Sequence, residues 1–237
     1  MEAFAVVYKD DDLLIVSKAS GISVLAERWE PEQRSLCDEL QALYPGISIA
    51  HRIDKETSGL LVCCLHEDAA RAMHRAFELR EVEKTYLALA WGRPAWKEHS
   101  CNLPILPDGD REHRSVISHK HGKEAITQFR LLESRGPCCL LEARPLTGRT
   151  HQIRVHAMES GCTLVGDRLY GGDALYLSRI KNTYRGDKET ERPLLDRCAL
   201  HAASIRFKHP GNGALVELSV PLPQDMEAVL RQLRKCR

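Results

Sequence analysis

Three absences narrow what this sequence can be. No stretch approaches the roughly 20 uninterrupted apolar residues of a membrane-spanning helix. The opening residues, MEAFAVVYKDDD, are acidic where a secretory leader is basic. The chain is therefore expected to be soluble and cytoplasmic, with no membrane partner. Charge of one sign is also missing: 34 Lys and Arg face 33 Asp and Glu, a formal net charge of +1. Total charge thus points to no polyanionic partner, and only its distribution can do so. The nine cysteines contain no C-x-x-C pair, their number is odd, and two sets are adjacent, Cys63 with Cys64 and Cys138 with Cys139. That pattern argues against both a disulfide framework and a zinc site. Cys63, Cys64, Cys139 and Cys162 sit among apolar neighbours, where a reduced thiol acts as a small hydrophobe.

Several catalytic signatures are missing too. There is no G-x-x-x-x-G-K-[ST] loop to cradle a nucleoside triphosphate. His51-Arg52-Ile53-Asp54 approaches the kinase H-R-D, but it carries an extra residue before the aspartate and lacks the asparagine that should follow. The G-x-G-x-x-G loop and D-F-G that a kinase needs are absent as well. His151 and His156 are five residues apart and fall on different faces of a helix. His113, His119 and His121 lack ligand spacing with a nearby third group, so no metal site is expected.

What is present is ample core material. At 237 residues with 43% hydrophobic content, the chain suits one large domain, 1–237. FAVVY (4–8), an acidic turn and LLIVS (13–17) alternate like a hairpin that Gly21 ends. A helix is predicted from Gln33 to Leu43, stopped by Pro45 and Gly46. Ala69, Ala72, Met73, Ala76 and Phe77 recur at helical spacing behind Glu67 and Asp68, which suit a helix N-terminus. GLLVCCL (59–65), TYLALAW (85–91), 125–132, 138–143, HAASIRF (201–207) and ALVELSV (214–220) read as strands, with a last helix after Pro223. A helix over 150–158 is predicted with Thr147 or Thr150 as cap and Gly161 as terminator. Strands and helices follow no βαβ rhythm, so the expected class is α+β with a mixed sheet. The stretch 172–196 is charged and poor in core residues, and it reads as an exposed insertion or functional loop.

Two segments carry candidate chemistry. In HRIDKETSGLLV (51–62), Asp54 stands between Arg52 and Lys55 just before a turn and a strand, where a rigid backbone can offer a side chain to a cleft. One reading is a solvated turn aspartate; the other is a nucleophile. In LTGRTHQIRVH (146–156), Arg149, His151, Gln152, Arg154 and His156 crowd a short helix. Arg154, flanked by Ile153 and Val155, is expected to be partly buried, and a buried guanidinium needs an anion. Asp54 is the candidate partner; such a pair keeps a carboxylate ionised inside a cleft, as a nucleophile requires. Basic residues also gather locally, at Arg144, Arg149, Arg154 and Arg168 and in REHRSVISHKHGK (111–123).

Taken together, LLIVSKASG, HRIDKETSGLLV, KTYLALAWG, GKEAITQFRLL, LTGRTHQIRVH, VGDRLYGG and CALHAASIRFKHP resemble, block for block and in order, the RluA-type pseudouridine synthases. The resemblance implies a mixed, mostly antiparallel β-sheet with flanking helices and a central RNA-binding cleft. It also implies isomerisation of uridine to pseudouridine in ribosomal RNA or tRNA without a cofactor. By the same resemblance Asp54 is the nucleophile, Tyr86 lies against the target base, and Arg154 pairs with Asp54. Arg52 fills the gap left by a flipped nucleotide or holds that nucleotide, while Lys84 and Arg149 contact phosphates. Most histidines are then read as surface or RNA-facing groups, and a monomer is expected.

Two departures stand out: Lys18-Ala19-Ser20-Gly21 replaces the usual K-P-x-G, and Leu25 follows Val24 where histidine is common. The chain also lacks room for the N-terminal RNA-binding domain of some relatives, so target choice is expected from the catalytic domain. The competing reading is an RNA-binding or chaperone module of the same fold without turnover.

Overall fold

The computed structural model describes residues 2–26, 32–181 and 183–235. The first hairpin forms as its alternation predicts. Strand β1 (Phe4–Lys9) pairs antiparallel with β2 (Leu13–Lys18), with a register shift between Val6 and Tyr8. Helix α1 (Leu36–Leu43) begins three residues later than the predicted start at Gln33, because Ser35 and Asp38 close a reciprocal capping box. The two-residue strand β3 (Ser48–Ile49) and the fully buried β4 (Ser58–Cys64) follow. Helix α2 (Glu67–Glu78) starts at His66, whose Nδ1 accepts the Ala69 N–H.

Strand β5 (Glu83–Trp91) leads to the short β6 (Glu98–Cys101), β7 (Ile105–Leu106) and β8 (Val116–Ile117), then to β9 (Thr127–Arg135) and β10 (Cys138–Pro145). Helix α3 (Gln152–Glu159), a single 3-10 turn at Arg168–Tyr170 and the one-turn α4 (Leu177–Ile180) precede β11 (Leu200–Lys208), β12 (Leu215–Ser219) and α5 (Gln224–Lys235). These elements make the α+β class with a mostly antiparallel sheet and flanking helices, as expected from the sequence.

The chain divides into two compact units, one of residues 1–85 and 202–221, the other of 86–201 and 222–237. In the first, the strand order is β1-β2-β4-β11, with β3 on β4 and β12 on β11. Leu13, Ile15, Leu60, Val62, Met73 and Phe207 share its core. Gly59, at φ +108°, lies so close to β11 that a Cβ would overlap the Ala202 carbonyl oxygen. Only glycine fits there.

In the second unit the order is β5-β10-β9-β6, beside a separate β7-β8 ribbon. Leu89, Leu140 and Val165 pack with Met226, Val229 and Leu233 of α5. The same cluster takes Leu175, Ile180 and Leu195, all buried, from the charged stretch 172–196. The sequence reading of that stretch as poor in core residues is corrected at both ends, where single apolar residues anchor it. Its middle, from Thr183 to Thr190, is largely exposed.

Candidate active site

In the first unit, HRIDKETSG is a short irregular segment joined to the N-terminus of β4. Ile53 is buried while Arg52 is exposed, so the chain alternates as it enters the turn and leaves Asp54 half-buried. The Thr57 N–H donates to the Asp54 carbonyl at 3.0 Å and closes that turn. His51 is fixed behind it. The Val62 N–H donates to His51 Nε2 at 3.2 Å, and the imidazole lies 4.8 Å from the Phe77 ring. Burial, then the positive charge of Lys84, push the His51 pKa down to about 3, so the ring is neutral.

The first sequence block explains why this turn is rigid. Lys18, 1% exposed, donates from Nζ to the carbonyls of Ala19 at 2.8 Å, Ile22 at 2.7 Å and Lys55 at 2.9 Å. The Gly21 N–H adds a second bond to the Lys55 carbonyl at 2.8 Å, and the Ser20 hydroxyl donates to the Glu56 carbonyl at 2.6 Å. A buried ammonium is costly unless surrounded by acceptors, and here one of the three acceptors is the carbonyl of Lys55, the residue after Asp54. The departure from K-P-x-G has a local effect: Ala19 has an N–H that proline lacks, and it donates to the Ala3 carbonyl at 2.9 Å. Lys84 is partly buried, lies 5.8 Å from the Phe77 ring, and has a pKa lowered by burial.

In the second unit, Tyr86 is 8% exposed on β5, opposite Ala143 of β10. Helix α3 is buried at six successive positions, Gln152 to Ala157. Neither Thr147 nor Thr150 caps it. The cap is His151 in the left-handed region, φ 54°, with no side-chain cap bond. Thr147 instead accepts the Ile126 N–H at 3.0 Å and donates to Gln152 Oε1 at 2.7 Å. Gln152 also takes the Arg149 N–H on Oε1 and gives Nε2 to the Ile126 carbonyl and Thr127 Oγ1, each bond 3.0 Å. Arg149 Nε donates to the Glu124 carbonyl at 3.0 Å.

The expectation of surface histidines fails at His156, which has no exposed area. Its Nε2–H donates to the Leu103 carbonyl and its Nδ1 accepts from the Thr127 hydroxyl, both at 2.9 Å. Burial lowers its pKa, so it too is a neutral structural group.

Arg154 is 7% exposed, more deeply buried than its spacing suggests, and the burial demands an anion. Asp167, 1% exposed, meets that demand: Arg154 Nε donates to Oδ2 at 2.7 Å and Nη2 to Oδ1 at 2.6 Å. The sequence reading names Asp54 as the partner of Arg154 and does not name Asp167, which lies in the VGDRLYGG block and takes the Nε and Nη2 donors. The Arg154 guanidinium also lies 5.0 Å from the centroid of the Tyr170 ring, and the Tyr170 hydroxyl is 2.9 Å from His151 Nδ1. Burial pushes the Tyr170 phenol up to about 12. Glycines shape this block as well: at Gly166, φ +71°, a Cβ would overlap the Arg197 carbonyl oxygen.

One cluster could in principle ligate a metal ion. Ligand atoms of Asp10, Asp12 and His209 lie within 4.8 Å of one another. They are already engaged: His209 Nδ1 accepts the Gly211 N–H at 3.2 Å, which leaves Nε2–H to donate to Asp10 Oδ2 at 2.8 Å. Asp12 Oδ1 sits 2.6 Å from His66 Nε2. The set locks the turn between β1 and β2.

The units thus provide a half-buried carboxylate on a pinned turn, and a buried guanidinium and phenol ring on α3 and β5. The sequence pattern of the RNA pseudouridylate synthase family matches residues 5–159. The ribosomal large subunit pseudouridine synthase C of Vibrio parahaemolyticus is 36% identical over 234 residues, covering 97% of this chain and 69% of its own length. The dual-specificity RNA pseudouridine synthase RluA of Escherichia coli K12 is 30% identical over 217 residues, 91% of this chain and 92% of that one. Among solved structures, human RNA pseudouridylate synthase domain containing 1 aligns at a TM-score of 0.69 and 27% identity over 98% of this chain and 94% of its own. With this coverage added to the block order and the pinned aspartate turn, the chain belongs to the RNA pseudouridylate synthase family, in its RluA/RsuA-type branch.

Proposed function

We propose that this protein isomerises uridine to pseudouridine in ribosomal RNA or tRNA, with Asp54 as the nucleophile. The observation that carries the reading is the Asp54 turn itself. A half-buried carboxylate is held in a backbone that Lys18, Ser20 and Gly21 pin through the next two residues. Fixed placement of this kind is what a positioned nucleophile needs. The relatives, a ribosomal large subunit pseudouridine synthase and a dual-specificity RNA pseudouridine synthase, support an RNA substrate of these classes.

In this reading the bond from uracil to C1′ breaks, the base turns so that C5 faces the sugar, a C5–C1′ bond forms, and the C5 proton leaves to water. Asp54 stabilises or covalently traps the sugar meanwhile. The uridine must leave its stack to be reached. Exposed Arg52 fills the gap or holds the extruded nucleotide, and Tyr86 offers the base a flat face. Lys84 and Arg149 contact phosphates. Arg154, held by Asp167, is the cationic group of this reading. No cofactor takes part, and the protein acts in the cytoplasm as a monomer with one catalytic domain.

The test uses total RNA carrying tritium at uracil C5, taken from cells lacking the gene. Wild-type protein is expected to release tritium to water and Asp54→Ala to release none while still binding the RNA. Release by both proteins removes Asp54 from the mechanism. RNA binding without release by the wild type favours the binding-module reading.

A further inference from the structure

In the second unit a cavity of about 290 Å3 is lined by Arg168, Asp173, Ala174, Tyr176 and Arg179. None of these residues has a part in the chemistry proposed above. The Arg179 guanidinium lies 5.3 Å from the Trp91 ring centroid and donates from Nη1 to Asp173 Oδ2 at 3.0 Å. Trp91 is itself tied down, its Nε1–H donating to the Asp173 carbonyl at 3.0 Å. One residue therefore holds both the indole and the guanidinium, through its backbone and its side chain. Arg168 is paired in the same manner with Asp196.

Three features decide what such a cavity takes. Its two guanidinium groups are each matched by a carboxylate, so it holds little net charge to attract a bare phosphate. Its walls include planar groups, Tyr176 and Arg179, on which a base can stack. Its volume lies just under the roughly 300 Å3 at which small-ligand sites begin, so a single small unit suits it better than a larger ligand. The Arg179 guanidinium sits 5.3 Å from the indole centroid and is half-exposed, which leaves part of it open to a ligand.

We propose that this cavity is a docking site for a single unpaired nucleoside of the RNA substrate, stacked on Arg179 and Tyr176 and distinct from the uridine that is isomerised. The proposal rests on the RNA reading above and extends it: the protein recognises a second, looped-out or single-stranded base. Asp173 accepts from N–H groups on the base edge.

The first measurement follows the indole N–H signal of Trp91 in a proton–nitrogen NMR spectrum, assigned with Trp91→Phe. The signal is expected to move on addition of single-stranded nonauridylate or uridine monophosphate and to stay in place with inorganic phosphate. Arg179→Ala and Arg179→Lys both remove the planar stack, and lysine keeps the charge. Both are expected to abolish the uridine-dependent response and to raise KM for tritiated RNA about tenfold with kcat unchanged. The signal in the wild type is read whether or not the protein turns over. Tritium release with a motionless indole signal overturns this site alone. An equal response to inorganic phosphate, or a lysine variant equal to wild type, overturns the nucleoside assignment in favour of a simple anion site. A uridine-dependent shift without tritium release keeps the site and overturns the enzymatic reading.

Discussion

Arg154 and Asp167 form a two-bond ion pair, Nε to Oδ2 at 2.7 Å and Nη2 to Oδ1 at 2.6 Å, with 7% and 1% of their side chains exposed. Neither side chain has solvent to fall back on, so loss of one removes a two-bond partner from a buried charge. Asp167→Ala is expected to cost about 3 to 5 kcal/mol of folding stability. Asp196→Ala, which breaks the exposed pair with Arg168, is expected to cost less than about 1 kcal/mol. Urea unfolding of both variants checks the contrast, and equal midpoints would show that the Arg154 pair contributes no more than a surface bridge.

Gly59→Ala adds a Cβ at φ +108° against the backbone of Ala202, where neither strand can yield without breaking its pairing. The expected loss is about 3 kcal/mol or more, combining backbone strain with overlap. Gly136→Ala has open space around it and a φ of +55°, so only the strain applies. Thermal unfolding midpoints should fall in that order.

Two histidines make stability depend on pH. His51, held at about 3, stays neutral in the folded protein while an unfolded histidine titrates near about 6.5, and burial shifts His156 in the same direction. Below that pH the unfolded chain binds more protons, so stability falls as pH drops from about 6.5 towards 3. Asp10 adds nothing until lower pH. Burial raises its pKa, but hydrogen bonds from Tyr8, the Leu13 and Asp12 backbones and His209 outweigh that and hold it at about 2. Its contribution is lost only between about 4 and 2. Urea midpoints measured from pH 7 to pH 5 should show a loss of about 2 kcal/mol, with a shallower slope in His51→Gln. A flat profile would mean that neither ring is held neutral in the folded state.

Seven of the eight cysteines among the described residues are buried, and only Cys37 is intermediate. Burial raises the thiol pKa of Cys63, Cys64 and Cys138, which removes the reactive thiolate. Alkylation with iodoacetamide at pH 7, read by peptide mass spectrometry, is expected to leave those seven unmodified until urea is added. Labelling of Cys63 or Cys138 in native protein would contradict their burial.

How far sequence could anticipate this depended on the range of the forces involved. Helix α2 was legible because Ala69, Met73 and their neighbours mark a face at local spacing, and the strands were legible from their apolar runs. Helix α3 was only half so. Its existence followed from local pattern, but its cap and burial did not. Gln152 and His156 are polar, and they sit inside only because partners 25 to 53 residues away in sequence satisfy them. Asp167 was hidden for the same reason. The Asp54 turn was visible as a motif, whereas the clamp from Lys18 was not: a lysine in sequence gives no sign that carbonyls 4 and 37 residues away will surround it.

Six consecutive buried residues on α3 leave that helix without an outward face. A substitution anywhere from Gln152 to Ala157 meets packed neighbours, so little change is tolerated there. Diversification is left to segments that touch little, such as Arg111–His113, His119–His121 and Thr183–Thr190, where side chains are largely exposed. For protein engineering the division is practical: retargeting libraries belong in those segments, and randomising α3 would spend most clones on misfolded protein.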